Sequence, residues 1–127
     1  MKDHFEYHQE LFQRFDETLE AFLKQTPDHD PQSCTETLAL LEQTRTAMAR
    51  REDYPELGQR LLSRVVAHFP AFTPHVQRDL FWFFGGDCLH YLGDDEIEKF
   101  QRLEERYFDS DEQADYADLR AQVFGLH

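Results

Sequence analysis

Between residues 3 and 25, apolar side chains fall at Phe5, Leu11, Phe12, Phe15, Leu19, Phe22 and Leu23. That three-and-four spacing lines one face of an α-helix, so a long amphipathic helix is predicted from Asp3 to Gln25. The next seven residues, Thr26 to Gln32, include two prolines and two aspartates and predict a loop, with His29 hydrated between Asp28 and Asp30. Ser33 and Glu36 have the spacing of a capping box, which starts a second helix running to about Arg51. Leu38, Leu41 and Met48 mark its inner face and Glu42, Arg45 and Arg50 its wet side. Pro55 suits a first helical position. Leu57, Leu61, Leu62, Val65, Val66 and Phe69 then recur at helical intervals up to Pro70 and predict a third helix.

From residue 74 to 92 the pattern changes. Thr73 before Pro74 reads as a cap followed by a first-turn proline, but Val76, Leu80 to Phe84, Leu89, Tyr91 and Leu92 leave no consistently polar face. A helix that is apolar all round belongs at the centre of a bundle. Residues 74–92 are therefore expected to form a central helix, with Trp82 largely removed from water. Gly85 and Gly86 interrupt the run and also fit a β-hairpin turn, but an isolated hairpin is marginal in water, and the helical reading is preferred. Gly93 ends the segment. Asp95 and Glu98 form an acidic version of a capping box, and Ile97, Phe100, Leu103, Tyr107 and Phe108 supply a fifth stripe. Ser110 with Gln113 starts a sixth helix, whose weak apolar face holds Ala114, Tyr116, Ala117, Leu119 and Val123. No segment repeats at a fixed period. The expected fold is all-α: a single domain over residues 1–127, an irregular or orthogonal bundle of five to six helices around the apolar helix at 74–92.

Composition supports one folded unit. A chain of 127 residues with 40% hydrophobic positions and 12 phenylalanines has enough apolar mass to bury, despite 31% charged residues. Cys34 and Cys88 form no CxxC pair, which predicts reduced thiols and a cytoplasmic protein. The N-terminus turns acidic at once, and the longest purely apolar run is only Leu80 to Phe84, so neither secretion nor membrane spanning is predicted.

Charge narrows the partners. Of the formal charge of −13, residues 1–33 contribute 8 acids and 3 bases, 34–86 contribute 6 of each, and 87–127 contribute 12 and 4. Nucleic acids and anionic membranes attract clustered Lys and Arg, so this field predicts that neither is a partner. A basic protein fits better. The run Asp94, Asp95, Glu96, continued by Asp111, Glu112 and Asp115, is the expected docking surface, although a purely solvated face gives the same pattern. The oligomeric expectation is a monomer or homodimer.

Polar chemistry interrupts the most apolar stretch at Gly85-Gly86-Asp87-Cys88-Leu89-His90-Tyr91. On a helix, Asp87 and His90 have the spacing of carboxylate–histidine metal ligands, yet no other acid stands three residues before a histidine, so a di-iron ligand set is incomplete. Asp87 as a cap, His90 as a hydrogen-bonded core residue and Cys88 as an inert buried thiol are the plainer readings. His4 and His8 have chelate spacing, but their position predicts a frayed, solvated first turn. Gly85-Gly86 matches no phosphate loop, and GxSxG and HExxH are missing. The resulting expectation is a non-enzymatic interaction or regulatory protein with an acidic docking surface and no cofactor. The alternative is a metal-binding or catalytic bundle with a divalent metal near Asp87 and His90.

Overall fold

The computed structural model describes residues 2–25, 30–109 and 115–125. Among them the regular structure is entirely helical: α1 (His4–Gln25), α2 (Pro31–Arg50), α3 (Tyr54–His68), α4 (Arg78–Phe84), α5 (Asp94–Asp109) and α6 (Tyr116–Phe124), with 3₁₀ turns at Thr73–His75 and Gly86–Tyr91. The all-α expectation holds. The predicted loop between α1 and α2 lies mostly outside the described residues, at 26–29, as does the predicted Ser110–Gln113 start of α6, with Ala114.

The first three helices follow the periodicity closely. Leu11, Phe12, Phe15, Leu19 and Leu23 of α1 meet Leu40, Leu41 and Met48 of α2 and Leu61, Leu62 and Val65 of α3 in one buried cluster. Removing that apolar area from water is the main force holding the helices together. The start of α2 differs from the prediction. Asp30, not Ser33, is the cap, and its carboxylate accepts from the Ser33 amide at 3.2 Å while Pro31 occupies the first turn. An aspartate followed by proline satisfies the same orphan amides one turn earlier. Likewise, α5 is capped by Gly93, whose N–H donates to Glu96 at 3.1 Å, rather than by Asp95 with Glu98.

Residues 74–92 do not form one central helix. They form a 3₁₀ turn, the seven-residue α4 and a second 3₁₀ turn, although Leu80, Phe81, Phe84, Cys88 and Leu92 do enter the core. The first break is at Val76 and Gln77, both extended with ψ of 124° and 131°, and the second is at Gly85-Gly86. Gly85 ends α4 at φ +68° and ψ −149°, and Gly86 follows at φ +57°. Both sit in backbone regions costly for residues with a Cβ. Gln59 of α3 fixes this break by donating its amide N–H to the Phe84 carbonyl at 2.7 Å. A Cβ on Gly86 would stand 2.5 Å from the Gln59 Oε1. The neighbouring Gly58 lets α3 approach α4: a Cβ there would lie 2.2 Å from the Phe84 ring.

Candidate functional site

A buried polar cluster lies where the N-terminal end of α1 meets α4, α5 and α6. Here the expectation of a frayed first turn is overturned. His8 is 0% exposed and stacks on Phe83 with ring centroids 4.5 Å apart and planes 7° from parallel. Its Nδ1–H donates to the His4 carbonyl at 2.7 Å, one turn back along α1. That bond leaves Nε2 of the neutral ring as a lone pair, and it has no partner among the described residues. Burial disfavours the imidazolium and lowers the His8 pKa from 6.5 to about 4, the His4 carbonyl opposing that shift only in part.

His4 is anchored across the chain. Its Nε2–H donates to Glu104 Oε1 at 2.7 Å, and its backbone N–H donates to the Tyr107 hydroxyl at 3.2 Å. The same Glu104 oxygen accepts the Trp82 indole N–H at 3.0 Å. Burial alone would raise the Glu104 pKa, but the bonds from His4 and Trp82 and the electrostatic attraction of His4 outweigh it, so the carboxyl is held below its ordinary value. Trp82 is half-buried and stacks on Phe100 at 5.7 Å. The expected burial of its ring is thus only partial.

A second buried carboxylate completes the junction. Asp79 of α4, 4% exposed, receives a two-pronged bond from Arg120 of α6, Nε to Oδ2 at 2.6 Å and Nη2 to Oδ1 at 2.8 Å. The ion pair raises the Arg120 pKa further. Tyr116, 0% exposed, packs among His4, Tyr7, His8 and Tyr107, and its hydroxyl has no partner among the described residues. Burial pushes both tyrosine hydroxyls, Tyr7 and Tyr116, above their ordinary pKa. Chemically, the junction holds two carboxylates occupied by nitrogen donors and one imidazole kept neutral. Its clearest capability is to seat an arginine.

The residues singled out in the sequence are placed differently. Asp87 and His90 are both exposed on the 3₁₀ turn Gly86–Tyr91, so His90 is not a core histidine. Among the described residues, no group of three His, Cys, Asp or Glu side chains could hold a metal ion. Cys88 is buried and its thiol pKa is pushed up to about 11, mainly by burial, in keeping with an inert thiol; Cys34 and Cys88 are both free. Asp94 and Asp95 are exposed at the start of α5. Glu96 instead grips Arg78 at 2.7 and 2.8 Å, and Asp115 caps α6 by accepting from the Ala117 amide at 3.2 Å. Asp111 and Glu112 lie outside the described residues. Further exposed acids, Glu98, Glu105 and Asp109, continue along α5 to Phe108, which is 63% exposed although the periodicity placed it inside.

Sequence reasoning missed Asp79, Arg120, Glu104 and Tyr116. The available signal was weak: Asp79 stands directly before the apolar run Leu80–Phe84, where an acid requires a partner. Elsewhere, a groove of about 320 Å³ between α1 and α2 is lined by Phe12, Met48 and the Asp16–Arg45 pair. Among the described residues, no helix is long and apolar enough to cross a membrane. No curated protein and no solved structure matches the chain. A family model matches residues 1–126, and the chain belongs to the PA2817-like family.

Proposed function

We propose that this is a non-enzymatic interaction or regulatory protein that docks a basic protein partner on the outer face of α5. The observation carrying the reading is that Asp94, Asp95, Glu98, Glu105 and Asp109 are exposed on one helix beside Phe108, itself exposed. Acids at a helix surface steer a cationic partner from a distance, and an exposed aromatic ring supplies the apolar contact that holds it. Residues 87–127, with 12 acids against 4 bases, concentrate that field at this end of the sequence. Glu96 and Asp115 serve the fold in this reading and not the partner, because Arg78 and the start of α6 engage them, whereas Glu98 pairs with Arg102 on the same helix at 3.2 Å and stays solvent-facing.

The test begins with affinity capture at low ionic strength and continues with association kinetics of the captured partner. The variant Asp94→Asn/Asp95→Asn/Glu98→Gln/Glu105→Gln is expected to slow association roughly tenfold, because exposed charges act mainly on the encounter rate. Phe108→Ala is expected to speed dissociation instead. An unchanged association rate with no salt dependence would mean that the acids are only a solvated face.

A further inference from the structure

We infer that α6 is a built-in occupant of a second docking position, a seat for an arginine-bearing helix of the basic partner, and that α6 leaves it when the partner binds. This rests on the reading that the partner is basic, and it adds what the partner's contact helix carries. The seat is made by Asp79 of α4, Tyr7 and His8 of α1, and Phe100 of α5. Its occupant presents Tyr116, Arg120 and Phe124, spaced four residues apart and so on one face of the helix. Arg120 grips Asp79 with two bonds, Tyr116 enters the ring cluster, and Phe124 packs on Phe100 with centroids 4.8 Å apart. Arg120 also lies over the Phe124 ring at 4.6 Å.

Two features mark α6 as replaceable, and one feature of the seat sets the ligand class. It has nine residues, too few to persist as a helix without its seat, and Tyr116 is its one fully buried residue. It fits imperfectly, since Tyr116 Oη and His8 Nε2 are both buried in the seat without a partner among the described residues. Such orphans mark a contact that a better-matched helix can improve. Finally, Asp79 is an acid almost wholly removed from water, and a planar guanidinium is the group whose fork matches it. The ligand class is therefore a helix carrying aromatic, arginine and aromatic side chains at four-residue spacing.

A tethered occupant competes at high effective concentration, so weakening it should unmask the seat. The probe is a fluorescein-labelled peptide of residues 115–125, titrated by anisotropy against the full chain. Arg120→Ala and Phe124→Ala in the protein are each expected to bind it at least ~10-fold more tightly than the wild type. Asp79→Asn is expected to bind none, as is a peptide whose own arginine is replaced by alanine. Hydrogen exchange on the unmodified protein should show α6 amides opening faster than those of α1 to α3. Equal affinity of all variants, or α6 amides that exchange only with the core, would overturn the inference. If partner association responds to the α5 charges while the peptide binds no variant, α6 is a fixed structural helix and only the outer docking face stands. If the peptide binds as expected while association ignores those charges, the seat stands and the outer face fails.

Discussion

Two histidine-bearing stretches of this chain invite opposite expectations and meet opposite fates. Asp87 and His90 lie inside the most apolar segment, yet both are exposed on a 3₁₀ turn. His4 and His8 lie beside the polar N-terminus, yet His8 is fully buried and His4 is bonded to Glu104, a hundred residues away. Burial here follows tertiary docking, not the hydropathy of sequence neighbours. At Gly85-Gly86 the backbone turns and throws the polar residues outward. At α1, the rings of Phe83, Tyr107 and Tyr116 close over residues that local pattern would leave wet.

The sharpest way to break this contrast is acid. The fold keeps His8 neutral, with a pKa of about 4 against 6.5 for the free side chain. Above pH 6.5 folded and unfolded chains are both neutral at this position, and its full contribution is present. Between pH 6.5 and about 4 the unfolded chain takes up a proton that the folded chain refuses, so stability falls as pH falls. The loss over that window is about 3 kcal/mol, and urea unfolding at a series of pH values measures it. His8→Phe should flatten that arm of the profile. Below the usual carboxylate range the lowered pKa of Glu104 adds a further loss in the same direction.

A smaller effect is expected from Glu104→Gln. It removes the charge from the oxygen that accepts both the His4 and Trp82 N–H groups, and should cost about 1.5 kcal/mol. Trp82 fluorescence should change in the same variant, because the indole edge loses its charged acceptor. Glu96→Gln tests the division between structural and docking acids: pairing with Arg78 at a partly exposed site predicts a loss of about 0.5–1 kcal/mol. Asp94→Asn, exposed and without an ion pair among the described residues, should leave stability unchanged while slowing partner association. Smallest of all, Asp87→Asn and His90→Ala are each expected to stay within about 0.5 kcal/mol of the parent in urea unfolding, as surface substitutions do.

What was legible in the sequence follows from how local each signal is. The stripes of α1 and α3 read correctly because every turn repeats the same apolar choice. The end of α4 did not, because two glycines with positive φ look the same on paper as a kink, a hairpin or close packing, and the side chain that decides, Gln59, comes from another helix. The starts of α2 and α5 lie two or three residues earlier than the spacing predicts because Asp30 accepts from the Ser33 amide and Glu96 accepts the Gly93 N–H, bonds that precede the side-chain pairs at Ser33 and Asp95. The junction itself was illegible for a different reason. Its bonds join residues 41, 22 and 100 positions apart, Asp79 to Arg120, Trp82 to Glu104 and His4 to Glu104, and no spacing rule spans such distances.

The burial of His8 is the point on which the junction depends, and its ring proton titration by NMR measures that burial directly. The His8 imidazole should remain neutral through the mildly acidic range and take up its proton at about pH 4. A His8 titration near 6.5, the value of a solvated ring, would show that the start of α1 is open to water and that the buried junction does not exist.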